Sequence, residues 1–369
     1  MRPTRVEIDL CAIKGNLAAI RARTGTKVMM AIKADAYGHG ARVVGRFVQE
    51  KNLVDMLGVS CIEEGVLLRE SGVSLPILIF GLITSSREDC DAVFSYHLTP
   101  TLADNALIDS IVNGARRWNR PIGIHIKTDT GMGRLGLTPD ETLKLASHLS
   151  QIKEIALNGI YTHFPVSDIP GQTFTLEQIA RFGDLLKRME TLGINPGLRH
   201  CANSGAVLNH PESFLDMVRP GILCYGLYPA EGTESILKVT PAMTLKTAVM
   251  FVKRVKKGTG LSYGLTYQAQ KDTYIATIPI GYADGYPRCL SNTSRVLIQG
   301  KAYPVVGRIC MDQSLVDLGD DFYAPGEEVT VFGRDGITAQ TVASWGNTIP
   351  YEVTCNMSRR VPRTYSNDK

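Results

Sequence analysis

The sequence predicts an α/β fold, namely a (β/α)8 TIM-type barrel followed by a smaller, mainly β C-terminal domain. A length of 369 residues suits one large domain and one small one. Up to about Tyr228, eight short apolar runs alternate with longer helical patterns, and eight parallel strands close a barrel. Beyond Val239 the helical pattern disappears, and short β-type runs alternate with Gly turns. We therefore expect domains at residues 1–238 and 239–369, with about ten N-terminal residues free to pack with the second domain.

Each predicted barrel strand is rich in β-branched or other apolar residues and ends near a polar or small residue. Eight segments fit this description: Val28–Ile32, Leu57–Val59, Ile77–Ile79, Leu98–Thr101, Ile122–Lys127, Leu157–His163, Leu198–Cys201 and Met217–Arg219. Helices are expected between them. From Leu176 to Leu192, for example, helical spacing places these residues on one face: Ile179, Phe182, Leu185, Leu186, Met189 and Leu192. The second domain has these candidate strands: Met243–Val252, Tyr274–Ile280, Val296–Ile298, Ser314–Val316 and Glu328–Phe332.

The composition is that of a globular protein, with 44% apolar and 21% charged residues. The net charge of +4 is mild, and the densest basic cluster, Lys253 to Lys257, has no interleaved aromatic residue, which argues against nucleic-acid binding. The apolar run VSLPILIFGLIT is short and is broken by Pro76 and Gly81, and the N-terminus lacks the apolar core of a secretory signal. We therefore expect a cytoplasmic protein without a membrane segment.

The eight cysteines are spread along the whole chain. No two of them have the spacing of a metal knuckle or of a redox pair. A disulfide framework is typical of small secreted chains, which this chain is not. We expect reduced thiols and no metal site.

Chemistry in a barrel of this type occurs at the C-terminal ends of the strands, so polar residues at those positions are the candidates for a site. Lys33, in the segment MMAIKADAYGHG, directly follows the first predicted strand. A lone lysine is usually a surface charge. At a strand end, burial lowers the pKa of the amine and prepares it to form a Schiff base with a carbonyl. Position alone leaves these two interpretations evenly balanced.

The last two predicted strands are followed by turns of small residues, which contain Asn203 and Ser204, and then Arg219, Gly221 and Ile222. Barrels commonly bind phosphate at this place, through backbone N–H groups and a hydroxyl. The alternative is a pair of ordinary turns. Together with Lys33, the two turns favour a phosphate-bearing aldehyde cofactor.

His163 follows the sixth predicted strand in the segment GIYTHF. It is a candidate base, metal ligand or packed core residue, and metal binding is the weakest of the three because no second ligand has a suitable spacing. The remaining histidines are assigned to caps and surface positions: His39, His97, His125, His148, His200 and His210.

These residues lie in blocks that give the whole chain, from Arg2 to Tyr365, a resemblance to the alanine racemase family. This is a bacterial family of pyridoxal-phosphate enzymes of fold type III. The blocks appear in the order typical of that family: AIKADAYGHG, HIKTDTGMGRLG, GIYTHF, CANSGA, VRPGILCYGLYP, LSYGLTY, IPIGYADGYPR, VGRICMDQ and TIPYEVTCNMSRRVPR.

The resemblance implies an enzyme that interconverts L-alanine and D-alanine with pyridoxal 5'-phosphate, and that supplies D-alanine for peptidoglycan or serves alanine catabolism. A racemase must remove a proton from one face of the substrate carbon and return one to the other face. The resemblance makes Lys33, the Schiff-base lysine, one base and Tyr263 the other. It also implies these cofactor ligands: Tyr37, His163, Asn203, Ser204, Arg219, Gly221, Ile222 and Tyr351. Among them, Arg219 is expected to face the pyridine nitrogen, with His163 behind it.

Further residues are implied around the substrate. Arg134 and the Met311 backbone N–H are expected at the substrate carboxylate, and Tyr282 and Tyr351 at a narrow entrance. Lys127 is expected to be carbamylated and to orient Arg134. Cys310 and Asp312 lie in a matching block, but the resemblance assigns them no role. A homodimer is implied, in which each active site combines Lys33 of one chain with the tyrosine of the LSYG block of its partner.

Other functions share some of these features. A decarboxylase of the same fold type would share the lysine and the phosphate turns, but not the LSYG and CMDQ blocks or Arg219. A serine-preferring racemase is less favoured, because Tyr351 would crowd a hydroxymethyl group. A non-catalytic pyridoxal-phosphate carrier has no use for a second base. A Schiff-base aldolase would account for Lys33 but not for the phosphate turns.

Overall fold

Eight parallel strands in the first part of the chain close into a barrel. The computed structural model describes residues 2–169 and 171–367. The strands of the first part are β1 (Arg5–Asp9), which lies outside the barrel, and the barrel strands β2 (Lys27–Ala31), β3 (Met56–Val59), β4 (Ile77–Ile79), β5 (Thr101–Leu102), β6 (Ile122–Lys127), β7 (Ile155–Tyr161), β8 (Leu198–His200) and β9 (Met217–Val218).

The barrel consists of two parallel sheets, with the strand orders β4-β3-β2-β9 and β5-β6-β7-β8. On one side they are joined by a bridge between Leu78 and Thr99. On the other side the Arg219 N–H donates to the carbonyl of Ala202 over 2.8 Å, next to β9 and β8. The predicted (β/α)8 barrel is therefore confirmed. The predicted bounds of the fourth strand, Leu98–Thr101, are wrong, because β5 comprises only Thr101 and Leu102.

The barrel strands are joined by helical segments, most of which cover the outside of the barrel. They are α1 (Leu10–Thr24), α2 (Lys33–Tyr37), α3 (Ala41–Glu50), α4 (Ile62–Glu70), α5 (Arg87–Ser95), α6 (Ile108–Arg117), α7 (Pro139–Leu149), α8 (Phe174–Thr191) and α9 (Ser204–Asn209). In α8, the apolar face predicted from helical spacing buries Phe182, Leu185 and Met189. Leu192 does not belong to this face, because the helix ends one residue earlier and the side chain is 59% exposed.

The second part of the chain is mainly β. Its strands are β10 (Met243–Ala248), β11 (Phe251–Val255), β12 (Gly260–Leu261), β13 (Tyr267–Gln268), β14 (Thr273–Ile278), β15 (Arg295–Ile298), β16 (Lys301–Val306), β17 (Ser314–Gly319), β18 (Glu328–Phe332) and β19 (Arg363–Ser366). Nine strands form one sheet in the order β11-β14-β17-β16-β15-β18-β10-β1-β19. The N-terminal strand β1 thus lies between β10 and β19, in the sheet of the second part of the chain.

Two expectations for this part are corrected. The predicted strand Met243–Val252 is two strands, because the chain leaves the sheet at Val249 and Met250. The helical pattern also does not disappear, since α10 (Ala339–Gly346) and α11 (Pro350–Cys355) lie near the C-terminus. These helices have eight and six residues, too few for helical spacing to be recognised in the sequence.

The connection between the two parts is held by the buried side chain of Asn16 on α1. Its amide donates to the carbonyls of Cys224 and Thr240, and its oxygen accepts the Thr240 N–H over 2.7 Å. Gly226 lies at this crossing with a φ of 81°, and a Cβ there would overlap the carbonyl oxygen of Thr240. The site therefore requires glycine for both its backbone conformation and the close approach of the two segments.

Among the described residues, no helix combines the length and the apolar character that crossing a membrane requires.

The substitution Gly226→Ala is expected to destabilise the protein by about 2 to 4 kcal/mol, because it combines a left-handed backbone with a steric overlap. Gly232→Ala is the matched control. Gly232 also has a φ of 81°, but a Cβ there would contact nothing. It should cost only about 1 kcal/mol. Urea unfolding followed by circular dichroism measures both, and equal losses would contradict the assigned role of the Thr240 contact.

Candidate active site

A cavity of about 650 Å³ opens at the C-terminal ends of the barrel strands, a volume typical of a site for a small ligand. It is lined by residues from both parts of the chain. The predicted site residues that line it are Lys33, Tyr37, Lys127, Arg134, His163, Asn203, Ser204, Arg219, Gly221, Ile222 and Tyr351. Tyr351 comes from α11, which reaches over the mouth of the barrel from the second part of the chain.

Lys33 follows β2 and begins α2, which is a single left-handed turn. Ala34, Asp35, Ala36 and Tyr37 have φ values of 51° to 57°. The turn brings the side chains of both Lys33 and Tyr37 to the cavity. Burial lowers the pKa of the Lys33 amine, and the nearby Arg134 guanidinium lowers it further. A larger fraction of this amine is therefore uncharged near neutral pH, as a nucleophile or base requires.

The turns after β8 and β9 form a cradle of hydrogen-bond donors. The Gly221 N–H donates to the Ser204 hydroxyl over 2.9 Å, which joins the two turns. Ser204 and Ile222 each begin a short helical turn, where the backbone N–H has no acceptor within the helix. A Cβ at Gly221 would overlap the Tyr37 hydroxyl, so glycine lets that hydroxyl approach the turn. The donor set fits a phosphate group.

Two tyrosines complete the cradle. The rings of Tyr37 and Tyr351 lie 6.0 Å apart, and Tyr37 stacks on Tyr225 with a centroid distance of 5.0 Å. Burial raises the pKa of both cavity tyrosines well above the usual range. Both hydroxyls therefore stay protonated and are available to donate to a phosphate oxygen.

Arg219 is 5% exposed and is fixed by three acceptors. It donates to the Thr162 carbonyl over 2.6 Å, to the Cys201 carbonyl, and to His200 Nδ1 over 3.0 Å. A guanidinium only donates, so His200 Nδ1 must accept and His200 Nε2 must carry the proton. That Nε2 lies 2.8 Å from His125 Nδ1, to which it donates. Burial lowers the pKa of Arg219 to about 10, which still leaves it charged at neutral pH.

Lys127 ends β6 and is 5% exposed. Its Nζ lies 4.4 Å from the ring centre of Tyr161. Burial lowers the pKa of this amine well below its usual value, and the positive charges of Arg219 and Arg134 lower it further. The cavity thus favours a neutral amine at Lys127. A negative group at the same position would be attracted by the guanidinium groups of Arg219 and Arg134.

A carboxylate orders the loop that leads to Arg134. Asp129 accepts the backbone N–H groups of Gly131, Met132 and Gly133 over 2.7 to 2.8 Å. The loop therefore has a defined conformation, and it places Arg134 at the wall of the cavity.

The remaining predicted residues lie elsewhere. Tyr263, Tyr282 and Met311 are 71%, 43% and 53% exposed, and none of them is among the described residues that line the cavity. They do come together with one another. The Tyr282 N–H donates to the Cys310 carbonyl over 3.1 Å, and Ser262, next to Tyr263, donates to the Arg308 carbonyl. We call Tyr263, Tyr282 and Met311 the second-domain surface.

The same part of the structure gives Cys310 and Asp312 structural contacts. The Cys310 carbonyl accepts the Tyr282 N–H, and Asp312 accepts a hydrogen bond from Arg360 over 2.5 Å. Arg360 also donates to the fully buried Asp284, two residues after Tyr282, over 2.7 Å. Arg360 therefore ties together the two loops that carry Tyr282 and Met311.

Both parts of the chain match models of one protein family. Residues 8–229 match the model described as the N-terminal domain of alanine racemase, and residues 242–365 match that of its C-terminal domain. The chain belongs to the alanine racemase family. The family predicted from the sequence blocks is thereby confirmed.

Individual alanine racemases are similar over their full length. That of Symbiobacterium thermophilum is 42% identical, and the alignment covers 100% of this chain and 98% of that protein. The solved structure of alanine racemase from Clostridium difficile 630 superposes with a TM-score of 0.94 at 37% identity, covering 99% of this chain and 96% of that chain. The structure of alanine racemase from D-cycloserine-producing Streptomyces lavendulae superposes with a TM-score of 0.94 at 34% identity, covering 100% and 98%.

Alanine racemases depend on pyridoxal phosphate, so the expected cofactor is that of the family. The residues around the cavity fit such a group. A lysine with a lowered pKa borders the same space as the donor cradle of Ser204, Gly221 and Ile222. The sequence pattern and the geometry thus agree on the chemistry of the ligand.

Several histidine assignments made from the sequence are wrong. His39, His125 and His200 were assigned to caps and surface positions, but all three are buried. The histidine that hydrogen-bonds Arg219 is His200, whereas His163 lines the cavity. His200 ends β8, so the strand-end criterion applied to Lys33 contained the signal that would have found it.

Proposed function

We propose that this chain interconverts L-alanine and D-alanine, with Lys33 and Tyr263 as the two bases. As a member of the alanine racemase family, it is a pyridoxal-phosphate-dependent racemase. The observation that supports the proposed site is a single cavity that contains both a lysine with a lowered pKa and a cradle of phosphate donors. An amine and a phosphate site in the same cavity suit a cofactor that has both an aldehyde and a phosphate.

In the proposed site, the cradle defined by Tyr37, Ser204, Gly221, Ile222 and Tyr351 would hold the phosphate. His163, Asn203 and Arg219 would contact the ring. When bound, pyridoxal phosphate withdraws electrons from the amino acid and acidifies its Cα–H bond. The protein itself supplies the other requirements of the reaction, namely substrate binding and the two bases.

Arg219 limits the chemistry to proton transfer. With the cofactor bound, Arg219 would face the ring nitrogen as a hydrogen-bond donor but would keep its own protons at neutral pH, since its pKa is about 10. An acidic partner would share a proton with that nitrogen and would favour stronger electron withdrawal. The three acceptors of Arg219 keep its guanidinium in place. With Arg219 as the partner, side reactions other than racemisation are disfavoured.

Proton transfer on both faces of the substrate carbon needs two bases in fixed positions. Lys33 serves one face from within the cavity. Arg134, held by the loop around Asp129, binds the substrate carboxylate together with the Met311 N–H, and Tyr282 narrows the entrance with Tyr351. Tyr263 serves the other face.

We further propose that Tyr263, Tyr282 and Met311 act in the active site of a second copy of the chain. The second-domain surface presents these residues to solvent, with the Tyr263 side chain 71% exposed. A two-fold, head-to-tail homodimer would place this surface over the cavity of its partner and create two equivalent composite sites. In that arrangement, residues 1–238 and Tyr351 of the same chain supply the cofactor site, and the second-domain surface supplies the second base to the partner. We place the reaction in the cytoplasm, where the eight unpaired cysteines suit a reducing environment.

Incubation of the protein with L-alanine and pyridoxal phosphate is expected to yield D-alanine, measured by chiral chromatography. Borohydride reduction and peptide mapping should place the cofactor on Lys33. Lys33→Ala should abolish racemisation, because it removes both the attachment point and one base. Lys187→Ala, which changes an exposed lysine on α8, should be fully active. A cofactor label on any other lysine would contradict the proposed site.

The composite site predicts that two inactive variants restore each other. Lys33→Ala and Tyr263→Phe are unfolded separately or together and refolded with cofactor. Random pairing gives half heterodimers, in which one site has both lesions and the other has none, so about a quarter of the wild-type activity should return. Each variant refolded alone is the control. If heterodimers are present by mass but remain inactive, each site is built within one chain.

Lys127 is proposed to carry a carbamate. The reaction joins the neutral amine to CO2, forms an N–C bond and releases one proton, so it requires an amine with a low pKa. Burial beside Arg219 and Arg134 provides this condition at Lys127. The product would be an anion at a buried position near the guanidinium groups of Arg219 and Arg134, which would stabilise it and fix the orientation of Arg134.

Protein equilibrated with 13C-bicarbonate is expected to show a carbamate carbon resonance that Lys127→Ala lacks. The same substitution should lower kcat/KM for alanine at least about 10-fold, because Arg134 loses its orientation. Lys144→Ala, an exposed lysine on α7, is the control and should keep both the signal and the activity. An identical spectrum for the wild type and Lys127→Ala would rule out the carbamate.

A further inference from the structure

We propose that Glu64 is a positioning residue that fixes the left-handed turn α2 and thereby the direction of the Lys33 amine. Glu64 lies on α4, which follows β3, the strand next to β2 in the barrel. The inference rests on the proposed role of Lys33 and adds a residue to its machinery. Neither the sequence blocks nor the strand-end criterion pointed to Glu64.

The Glu64 carboxylate joins two neighbouring loops at the mouth of the barrel. Its Oε1 accepts the Ala34 N–H over 2.7 Å, and its Oε2 accepts the Ser60 N–H over 2.7 Å. Ala34 directly follows Lys33 and is the first left-handed residue of α2, whereas Ser60 directly follows β3. Each oxygen of one side chain therefore has its own backbone donor. This ties the start of the lysine turn to the adjacent βα loop.

The turn α2 needs such a contact because its backbone is unfavourable. Residues with a Cβ rarely adopt the left-handed conformation, and four in succession persist only where the surroundings hold them. The far end of the turn is held by Asp35, which accepts the Ala41 N–H over 2.7 Å, and by His39 Nδ1, 3.0 Å from the carbonyl of Tyr37. Glu64 holds the start of the turn, next to Lys33.

Glu64 also contributes the negative charge that faces Lys33 from α4. It raises the pKa of the Lys33 amine, whereas burial and Arg134 lower it, and the Cys355 thiol of α11 acts in the same direction as Glu64. The other charged or titratable groups around the cavity are Tyr37, Lys127, Tyr161, His163, Asp168, Arg219 and Tyr351. Loss of the Glu64 charge should therefore lower the pKa of Lys33 further.

The test uses the full-length chain with Glu64→Gln, which keeps the size of the side chain but removes its charge and one acceptor. Glu63→Gln changes the exposed carboxylate next to it and is the matched control. Competitive acetylation of Lys33 across pH, measured by mass spectrometry on cofactor-free protein, reports the titration midpoint of the amine. We expect the midpoint to fall by about one pH unit in Glu64→Gln and to stay unchanged in Glu63→Gln. On holoenzyme, kcat should fall at least about 10-fold in Glu64→Gln, with a smaller change in KM.

Glu64→Asp separates position from charge, since it keeps the carboxylate but is too short to reach both N–H donors. Its Lys33 midpoint should stay near that of the wild type while kcat still falls. If Glu64→Gln does not fold by thermal melting, Glu64→Asp decides the question through kcat. A Lys33 midpoint and a kcat equal to those of Glu63→Gln would overturn the role of Glu64. A cofactor label on another lysine would instead overturn the proposed role of Lys33, so the two failures are distinguishable.

Discussion

The arrangement of the active site depends on the concentration of positive charge at the mouth of the barrel. Lys33, Lys127, Arg134 and Arg219 surround one cavity. Cations that share a partly buried space repel one another, so each ionisable group there is driven toward its less positive form or toward an anionic partner. Burial lowers the pKa of both lysines, and the repulsion between these cations lowers it further. The concentration of positive charge also explains why the site is suited to a phosphate and a substrate carboxylate, both of which bring negative charge.

Burial, reinforced by the same positive charge, sets the state of the buried histidines. Burial and Arg219 lower the pKa of His125 to about 3 and that of His200 well below its usual value. Both rings therefore stay neutral, and each has one donor and one acceptor nitrogen. The neutral state is what allows His200 to accept from Arg219 and donate to His125. Arg219 is thus held by uncharged groups and keeps its own positive charge.

The sequence predicted the parts of this site that follow from position in a barrel. Strand ends pointed to Lys33, and small-residue turns pointed to Ser204 and Gly221. The roles of Tyr263 and Lys127 came from the resemblance alone, because no local pattern distinguishes a catalytic tyrosine or a carbamylated lysine from an ordinary one.

Other features could not be predicted for identifiable physical reasons. The residues KADAY of α2 have ordinary helix-forming or loop character, and their left-handed conformation arises from tertiary contacts such as that of Glu64 with Ala34. The helices α10 and α11 are too short to show periodicity. The partner of a buried polar side chain, such as Asn16 or His200, depends on segments about 20 to more than 200 residues away, which local patterns do not encode.

The fold also shows why the two parts of the chain cannot act as independent units. Strand β1 lies between β10 and β19, so a fragment that began at residue 239 would lack a strand in its main sheet. β10 would then present an unpaired edge, and β19 would lose the neighbour it pairs with. The barrel, in turn, depends on α11 of the second part for Tyr351 at its mouth. The N-terminal strand and α11 therefore couple the two parts, so that the geometry of the cavity depends on the correct folding of the second part of the chain.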